Sequence, residues 1–257
     1  MVVHHVWIMP VLSVTCALIA MFSGYSIGVA KERFPPFFPF ISDGGGYSPE
    51  ANIFGQFLNM AGFLYVITVY VVHIQIVAFY GHVLKWNRSR WYYSSLLLMY
   101  IGFLSALGMT MVANFRYTEI LPAHMIGAMM TFIAMVIYGW GHAIFGYVVI
   151  PRMIALGVIH FRFVLIILTT CCLILHQVAA SSLAFVPDGA GAGENPGIEG
   201  MRSEESPFHK TYSTATSCEW GMILVMQVFI LTFIAELRLL RACSPFGVEA
   251  RQAGGRT

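Results

Sequence analysis

The sequence predicts an all-α integral membrane protein, folded as a six-transmembrane-helix bundle with both termini in the cytosol. Three observations support this fold class. Of the 257 residues, 58% are hydrophobic and only 10% are charged, against about 25% charged in an average soluble domain. Six apolar runs are each long enough to cross a bilayer, which takes about 20 helical residues. Lys and Arg are divided unequally between the two sets of connecting loops, and this inequality predicts orientation.

The six apolar runs cover residues 6–30, 53–80, 92–114, 124–150, 163–186 and 219–237. None of them alternates with a period of two, so the pattern does not favour a transmembrane β-barrel. The first run has no basic segment before it and no clear cleavage site after it, so we expect a retained helix and not a signal peptide. The sequence therefore predicts a single membrane domain over residues 1–257, with a short cytosolic tail at 238–257.

The orientation follows from the basic residues. Nine of the 14 Lys and Arg residues lie in the loops that share a side with the termini, and five lie in the opposite loops. The larger set is expected to be cytosolic. Nine of the 12 acidic residues fall on the other, luminal or extracellular, side. The one glycosylation sequon, at Asn87, is then cytosolic and unused. The nine basic residues are Lys85, Arg88, Arg90, Arg152, Arg162, Arg238, Arg241, Arg251 and Arg256.

Composition also excludes several classes of protein. So few charged residues cannot cover the surface of a soluble enzyme. A net charge of +2 provides no broad basic face for binding nucleic acid. The five cysteines lack metal-ligand spacing, so we expect neither a metal site nor a disulfide framework. The sequence contains no HExxH motif, and we expect no catalytic residues and no cofactor. A haem protein is one alternative, with His73 and His142, or His124 and His176, as axial ligands.

Polar residues near the luminal ends of the runs form the candidate site. They are Asp43, Glu50, Asn59, Asn114, Arg116, His124 and Glu219. Polar groups at this depth are costly unless they find partners, and Arg116 is the expected counter-charge. Two interpretations stay open. One is a structural network that clamps the helix ends, and the other is a ligand or lipid-headgroup site that responds to luminal pH through Glu219 and His124.

Three further residue patterns give smaller predictions. Cys243 lies close to the membrane in the tail, where a thiol is a candidate for palmitoylation; an unmodified thiol is the alternative. Gly24 and Gly28 form a GxxxG pattern that predicts a close helix contact. Glu236 is expected to snorkel to the interface and not to form a defined ion pair.

Several short motifs recur in the order and spacing of one known family. They are Pro39-Phe40-Ile41-Ser42-Asp43-Gly44, Pro49-Glu50, Ile53-Phe54-Gly55, Asn59, Gly108-Met109, Val112-Ala113-Asn114-Phe115, Cys218-Glu219-Trp220 and Leu231-Thr232-Phe233. In these motifs the chain resembles the damage-regulated autophagy modulator (DRAM) family. The resemblance extends from the first span to the sixth.

The resemblance implies a six-helix protein of the lysosomal or a related endomembrane that promotes autophagy, and sometimes cell death, without catalysing a reaction. The expected partners are membrane lipids and unidentified membrane or cytosolic proteins, not nucleic acid. The wider superfamily implies two alternatives: a plasma-membrane adaptor that organises a phosphatidylinositol 4-kinase complex, and a factor for GPI-anchor lipid remodelling. The resemblance implies no catalytic residues.

Overall fold

The computed structural model describes residues 2–3, 5–84, 89–181, 197–238, 240–243 and 247–250. Within them, six helical segments are long and apolar enough to cross a membrane, which confirms the predicted helical membrane fold with six spans. The helices are α1 (Ile8–Ala30), α2 (Glu50–Leu84), α3 (Arg90–Asn114), α4 (Leu121–Val148), α5 (Leu156–Ser181), α6 (Gly197–Arg202), α7 (His209–Thr232) and α8 (Ile234–Leu237), with a 3-10 helix at Ile41–Gly45.

Two of the spans begin well before their apolar runs. Helix α5 begins at Leu156 and α7 at His209, whereas the runs begin at residues 163 and 219. The added turns contain Arg162 and Thr211, which are buried. A hydropathy pattern registers such polar residues as loop, although inward-facing polar side chains are compatible with a helix inside the membrane.

The core lies along the bundle axis and is built from large side chains. Tyr65 of α2, Tyr138 of α4 and Phe229 of α7 are almost fully buried. The Tyr138 ring packs on Tyr65 with a centroid separation of 6.2 Å and on Phe233 at 5.9 Å. Outward-facing residues are also apolar, for example Leu97, Leu104 and Leu107 on α3. A bundle that is apolar both inside and outside is suited to lipid.

Glycines allow α1 to approach the 3-10 helix and the loop before it, not another membrane span. A Cβ atom at Gly24 would lie 2.8 Å from the carbonyl oxygen of Gly44 in the 3-10 helix, and one at Gly28 would overlap the Phe34 ring. The GxxxG pattern therefore does mark a close contact, but its partner is not one of the other spans. The contact seats the segment that carries the 3-10 helix against α1.

The two ends of the described chain meet at one end of the bundle. Strands β1 (Val2–Val3), β2 (Leu240–Cys243) and β3 (Gly247–Ala250) form a small antiparallel sheet, in which Val2 pairs with Cys243. We call this the proximal end, and the end with the loops at residues 31–49 and 115–120 the distal end. Asn87, the residues 182–196 and the Cys243 side chain lie outside the described structure.

Candidate functional site

The loop at residues 39–43 is bound to the middle of α7 by two hydrogen bonds. The Ile41 backbone N–H donates to Glu219 Oε2 at 3.1 Å, and Trp220 Nε1 donates to the Pro39 carbonyl at 2.8 Å. Phe38 packs on the Trp220 ring at a centroid distance of 6.1 Å. Two motifs almost 180 positions apart in sequence therefore form one contact. Trp220 is buried, so it fills a helix contact and does not anchor at the interface.

Asp43 anchors the same loop from its other side. Its Oδ2 accepts from the Phe40 backbone N–H at 3.0 Å and lies 2.7 Å from Arg202 Nη2. The side chain is 2% exposed. Burial raises the pKa of the Asp43 carboxyl, while Arg202 and a hydrogen bond from Tyr117 act in the opposite direction. Burial also raises the pKa of Tyr117, which the neighbouring Asp43 charge raises further.

A cavity of about 380 Å³ opens beside this anchor, between the distal halves of α4, α5 and α7. Asp43, His124, His176 and Glu219 all line it. A smaller cavity of about 80 Å³ extends further into the bundle, and His124 and Glu219 line that one too. Glu219 is only 7% exposed and lines both spaces. We call the two spaces together the distal cavity.

Two histidines of the cavity lining have their Nδ1 atoms bound to backbone. Nδ1 of His124 lies 2.8 Å from the Phe115 carbonyl oxygen, and Nδ1 of His176 lies 2.9 Å from the Ala215 carbonyl oxygen. A carbonyl oxygen only accepts, so each Nδ1 carries the hydrogen. In the neutral ring, Nε2 is then a free acceptor.

The remaining predicted site residues lie away from the cavity. Glu50 is buried at the start of α2 and is 3.6 Å from Arg33 Nε. Asn59 and Asn114 exchange two side-chain hydrogen bonds of 3.1 Å between α2 and α3. Their reciprocal amide pair ties these two helices together.

The expectation that Arg116 serves the buried carboxylates is wrong. Arg116 contacts Glu119 at 3.3 Å and Asn52 at 3.1 Å, while Arg202 and Arg33 are the partners of Asp43 and Glu50. Arg202 ends α6, and its contact with Asp43 places α6 against the segment that carries the 3-10 helix. Nothing local in the sequence predicts this contact.

Sequence reasoning also missed an ion pair near the proximal end. Nη1 and Nη2 of Arg162 donate to the two carboxylate oxygens of Glu236 at 2.7 and 2.6 Å, and Nε donates to Thr232 Oγ1 at 2.7 Å. Both charged residues are 2% exposed. The expectation that Glu236 snorkels is therefore wrong, and Arg162 belongs to the core and not to a loop. The signal of this pair in the sequence is a lone arginine within one turn of an apolar run.

The two histidines of the alternative haem pair at the proximal half have other neighbours. Nδ1 of His73 lies 2.8 Å from Ser95 Oγ. The His142 ring packs against Tyr138 at a centroid distance of 4.4 Å and edge-to-face against Phe233 at 5.0 Å. Among the residues that the structure describes, no three His, Cys, Asp or Glu side chains are grouped so as to hold a metal ion.

Comparison with known proteins gives consistent matches over most of the chain. It is 27% identical over 235 residues to DNA damage-regulated autophagy modulator protein 1 of Homo sapiens, covering 89% of this chain and 90% of the relative. It is 27% identical over 230 residues to human DNA damage-regulated autophagy modulator protein 2, with 85% and 79% covered. It is also 27% identical to the Modulator of macroautophagy TMEM150B of Danio rerio, with 90% and 85% covered. No solved structure matches the chain.

The family match covers the whole bundle. The Frag1/DRAM/Sfk1/Cwh43P N-terminal domain matches residues 5–240, which include all six spans and both motifs that meet at Glu219. The relatives are named as modulators of autophagy, in agreement with the resemblance seen in the motifs. The chain is a multi-pass membrane protein and belongs to the Frag1/DRAM/Sfk1/Cwh43P family, in which its named relatives include DRAM proteins.

Proposed function

We propose that the protein modulates autophagy from the lysosomal or a related endomembrane, and that it does so by binding and not by catalysis. The observation that carries this proposal is the similarity over about nine tenths of the chain to a relative named as an autophagy modulator. The distal site supports a binding role, because its polar groups hold a loop in place and line a cavity.

The proposed orientation places the proximal end in the cytosol and the distal end in the lumen. The sheet of β1, β2 and β3 keeps both ends of the described chain on one side. The cytosolic side then has most of the basic residues, even though Arg162 is buried in the core. Short basic segments at that face would bind anionic lipid or an acidic protein partner. The luminal side has the acidic loops and the distal cavity.

The two interpretations of the polar residues now apply to different groups. The Asn59–Asn114 pair and the Glu50–Arg33 pair connect neighbouring segments and support a structural role. Asp43, His124 and Glu219 line the distal cavity and support a ligand-binding role, joined by His176. Through the loop at residues 39–43, occupancy of the cavity would be coupled to the packing of α1 against α7.

Localisation and autophagic flux test this proposal together. A tagged full-length chain is expected to co-localise with a lysosomal membrane marker, and its removal is expected to lower the degradation of an autophagy cargo. Flux is measured as the difference in cargo with and without an inhibitor of lysosomal proteolysis. Unchanged flux after removal would overturn the proposal.

The same cells separate the two alternative functions. Residence at the plasma membrane, with a fall in phosphatidylinositol 4-phosphate there after removal, would favour the kinase adaptor. Altered lipid chains on GPI anchors would favour remodelling. Either result in the presence of normal autophagic flux would replace the proposed function. A glycan on Asn87 would invert the proposed orientation.

A further inference from the structure

The distal cavity has the size and form of a site for a small amphiphile. Its larger part measures about 380 Å³, within the range of roughly 300–1,000 Å³ that is usual for ligand pockets. Exposed residues at the distal ends of α4 and α5, including Met125, Ala180 and Ser181, line it. The space therefore extends from the bundle interior to the surface between these two helices.

One wall of the cavity is apolar and continues inward. Met129 and Phe132 of α4 line the larger part, and Ala128 and Phe132 also line the smaller part, together with Met135. The two parts therefore share apolar lining residues. Such a lining fits a hydrocarbon chain better than a compact polar molecule.

The other wall offers hydrogen-bond acceptors. Because His124 and His176 use Nδ1–H on backbone carbonyls, their neutral rings have only the Nε2 lone pair left to offer. Both side chains line the cavity and are more than nine-tenths buried. Thr211 Oγ1 is buried there as well and has no hydrogen-bond partner among the described residues. A ligand head with N–H or O–H donors is complementary to this wall.

Glu219 adds a carboxylate that no cation offsets. Among the residues that the structure describes, its one hydrogen bond is from the Ile41 N–H to Oε2, and no Lys or Arg of these residues forms an ion pair with it. The neighbouring Asp43 differs, because it forms an ion pair with Arg202. A buried carboxylate without a partner is costly, and a cation entering the cavity would remove this cost.

The geometry points to a long-chain amphiphile with a protonated amine head, such as a long-chain amino alcohol, as the ligand of the distal cavity. The ammonium group donates to Glu219, further head-group donors bind Nε2 of His124 and His176, and the chain fills the apolar part. A fatty acid is rejected, because its negative carboxylate would be repelled by the Glu219 carboxylate and by the Nε2 lone pairs of the two histidines. A phosphate-bearing lipid head is rejected for the same reason. Binding does not depend on the role in autophagy.

Photolabelling of the purified full-length protein in detergent tests this assignment. The probe is a long-chain amino alcohol with a photoreactive group in its chain and an alkyne for detection. We expect labelled peptides from α4, α5 or α7 around the cavity. An unlabelled amine of the same chain length is expected to compete, and the fatty acid of that length is not. Competition by the acid as strong as that by the amine would overturn the assignment.

Two variants locate the site. Glu219→Gln keeps the shape and removes the charge, and we expect labelling to fall about tenfold, which corresponds to about 1.4 kcal/mol. Glu204→Gln, an exposed carboxylate outside the cavity, is the matched control and is expected to label like the wild type. If Glu219→Gln does not fold, Ala128→Phe fills the cavity without changing charge and is expected to abolish labelling. Wild-type labelling in either folded cavity variant would overturn the assignment, whatever the flux assay shows.

Discussion

Asp43 is buried beside Arg202, and these two features have opposite effects on the pKa of its carboxyl. Burial raises its pKa, and Arg202 offsets this only in part. A carboxyl with a higher pKa in the folded than in the unfolded chain contributes stability that is fully present below the unfolded pKa and is lost as the pH rises through the folded pKa. We therefore expect the melting temperature of the wild type to fall, relative to Asp43→Asn, as the pH rises above the ordinary range of an aspartate.

Thermal unfolding of both proteins in the same detergent, at a series of pH values, measures this difference. The amide that replaces the carboxyl in the variant does not titrate, so the variant supplies the baseline for all other groups. A wild-type advantage that grows towards neutral pH would show the opposite balance, with the attraction to Arg202 exceeding the cost of burial.

Burying the charges of Arg162 and Glu236 is costly, and the ion pair between them offsets this cost. Each is 2% exposed, and two short hydrogen bonds join them. Removing one partner from a buried pair leaves an uncompensated charge and typically costs about 3–5 kcal/mol. We expect Arg162→Ala to lower the free energy of unfolding by about that amount, as measured by denaturant titration in micelles.

The double variant Arg162→Met with Glu236→Leu is the control for this pair. It removes both charges and keeps apolar volume, a change that is often neutral or stabilising. A double variant as unstable as Arg162→Ala would mean that lost packing, and not the unpaired charge, dominates the effect.

At the scale of elements, the close packing of α1 on the distal loop positions the cavity wall. Gly24 faces the Gly44 backbone with no room for a side chain. Because overpacking typically costs about 1–3 kcal/mol, we expect Gly24→Leu to destabilise the protein by that amount and to loosen the loop that binds Glu219. Thermal unfolding measures the first effect. Gly157→Leu in α5, where an added Cβ atom meets nothing within 4 Å, is the control, and an equal loss in both variants would contradict the prediction.

The helices also show which structural features the sequence predicts and which it does not. Apolar runs of about 20 residues predict the spans because a bilayer imposes that length. They do not predict that α5 begins at Leu156 or that α7 begins at His209, because inward-facing Arg162 and Thr211 lower the local hydropathy. The Ile41–Glu219 contact joins residues 178 positions apart, and only the shared family motifs hinted that these two segments belong together.

At the scale of the whole molecule, two of the buried polar clusters differ in how far their charges are paired within the protein. The Arg162–Glu236 pair near the proximal end is satisfied within the protein, so it stabilises the fold. The distal cavity has a carboxylate and two imidazoles that retain free acceptors. This contrast is the reason for assigning function to the distal end, where Asp43, His124 and Glu219 of the predicted residues meet.

The most direct test of the central claim is the rescue of autophagic flux in cells that lack the protein. Wild-type chain and Glu204→Gln are expected to restore flux fully. Glu219→Gln, expressed at the same level and found in the same membrane, is expected to fail, because the distal cavity loses its charge. Full rescue by Glu219→Gln under those conditions would contradict the claim that the distal cavity carries the function.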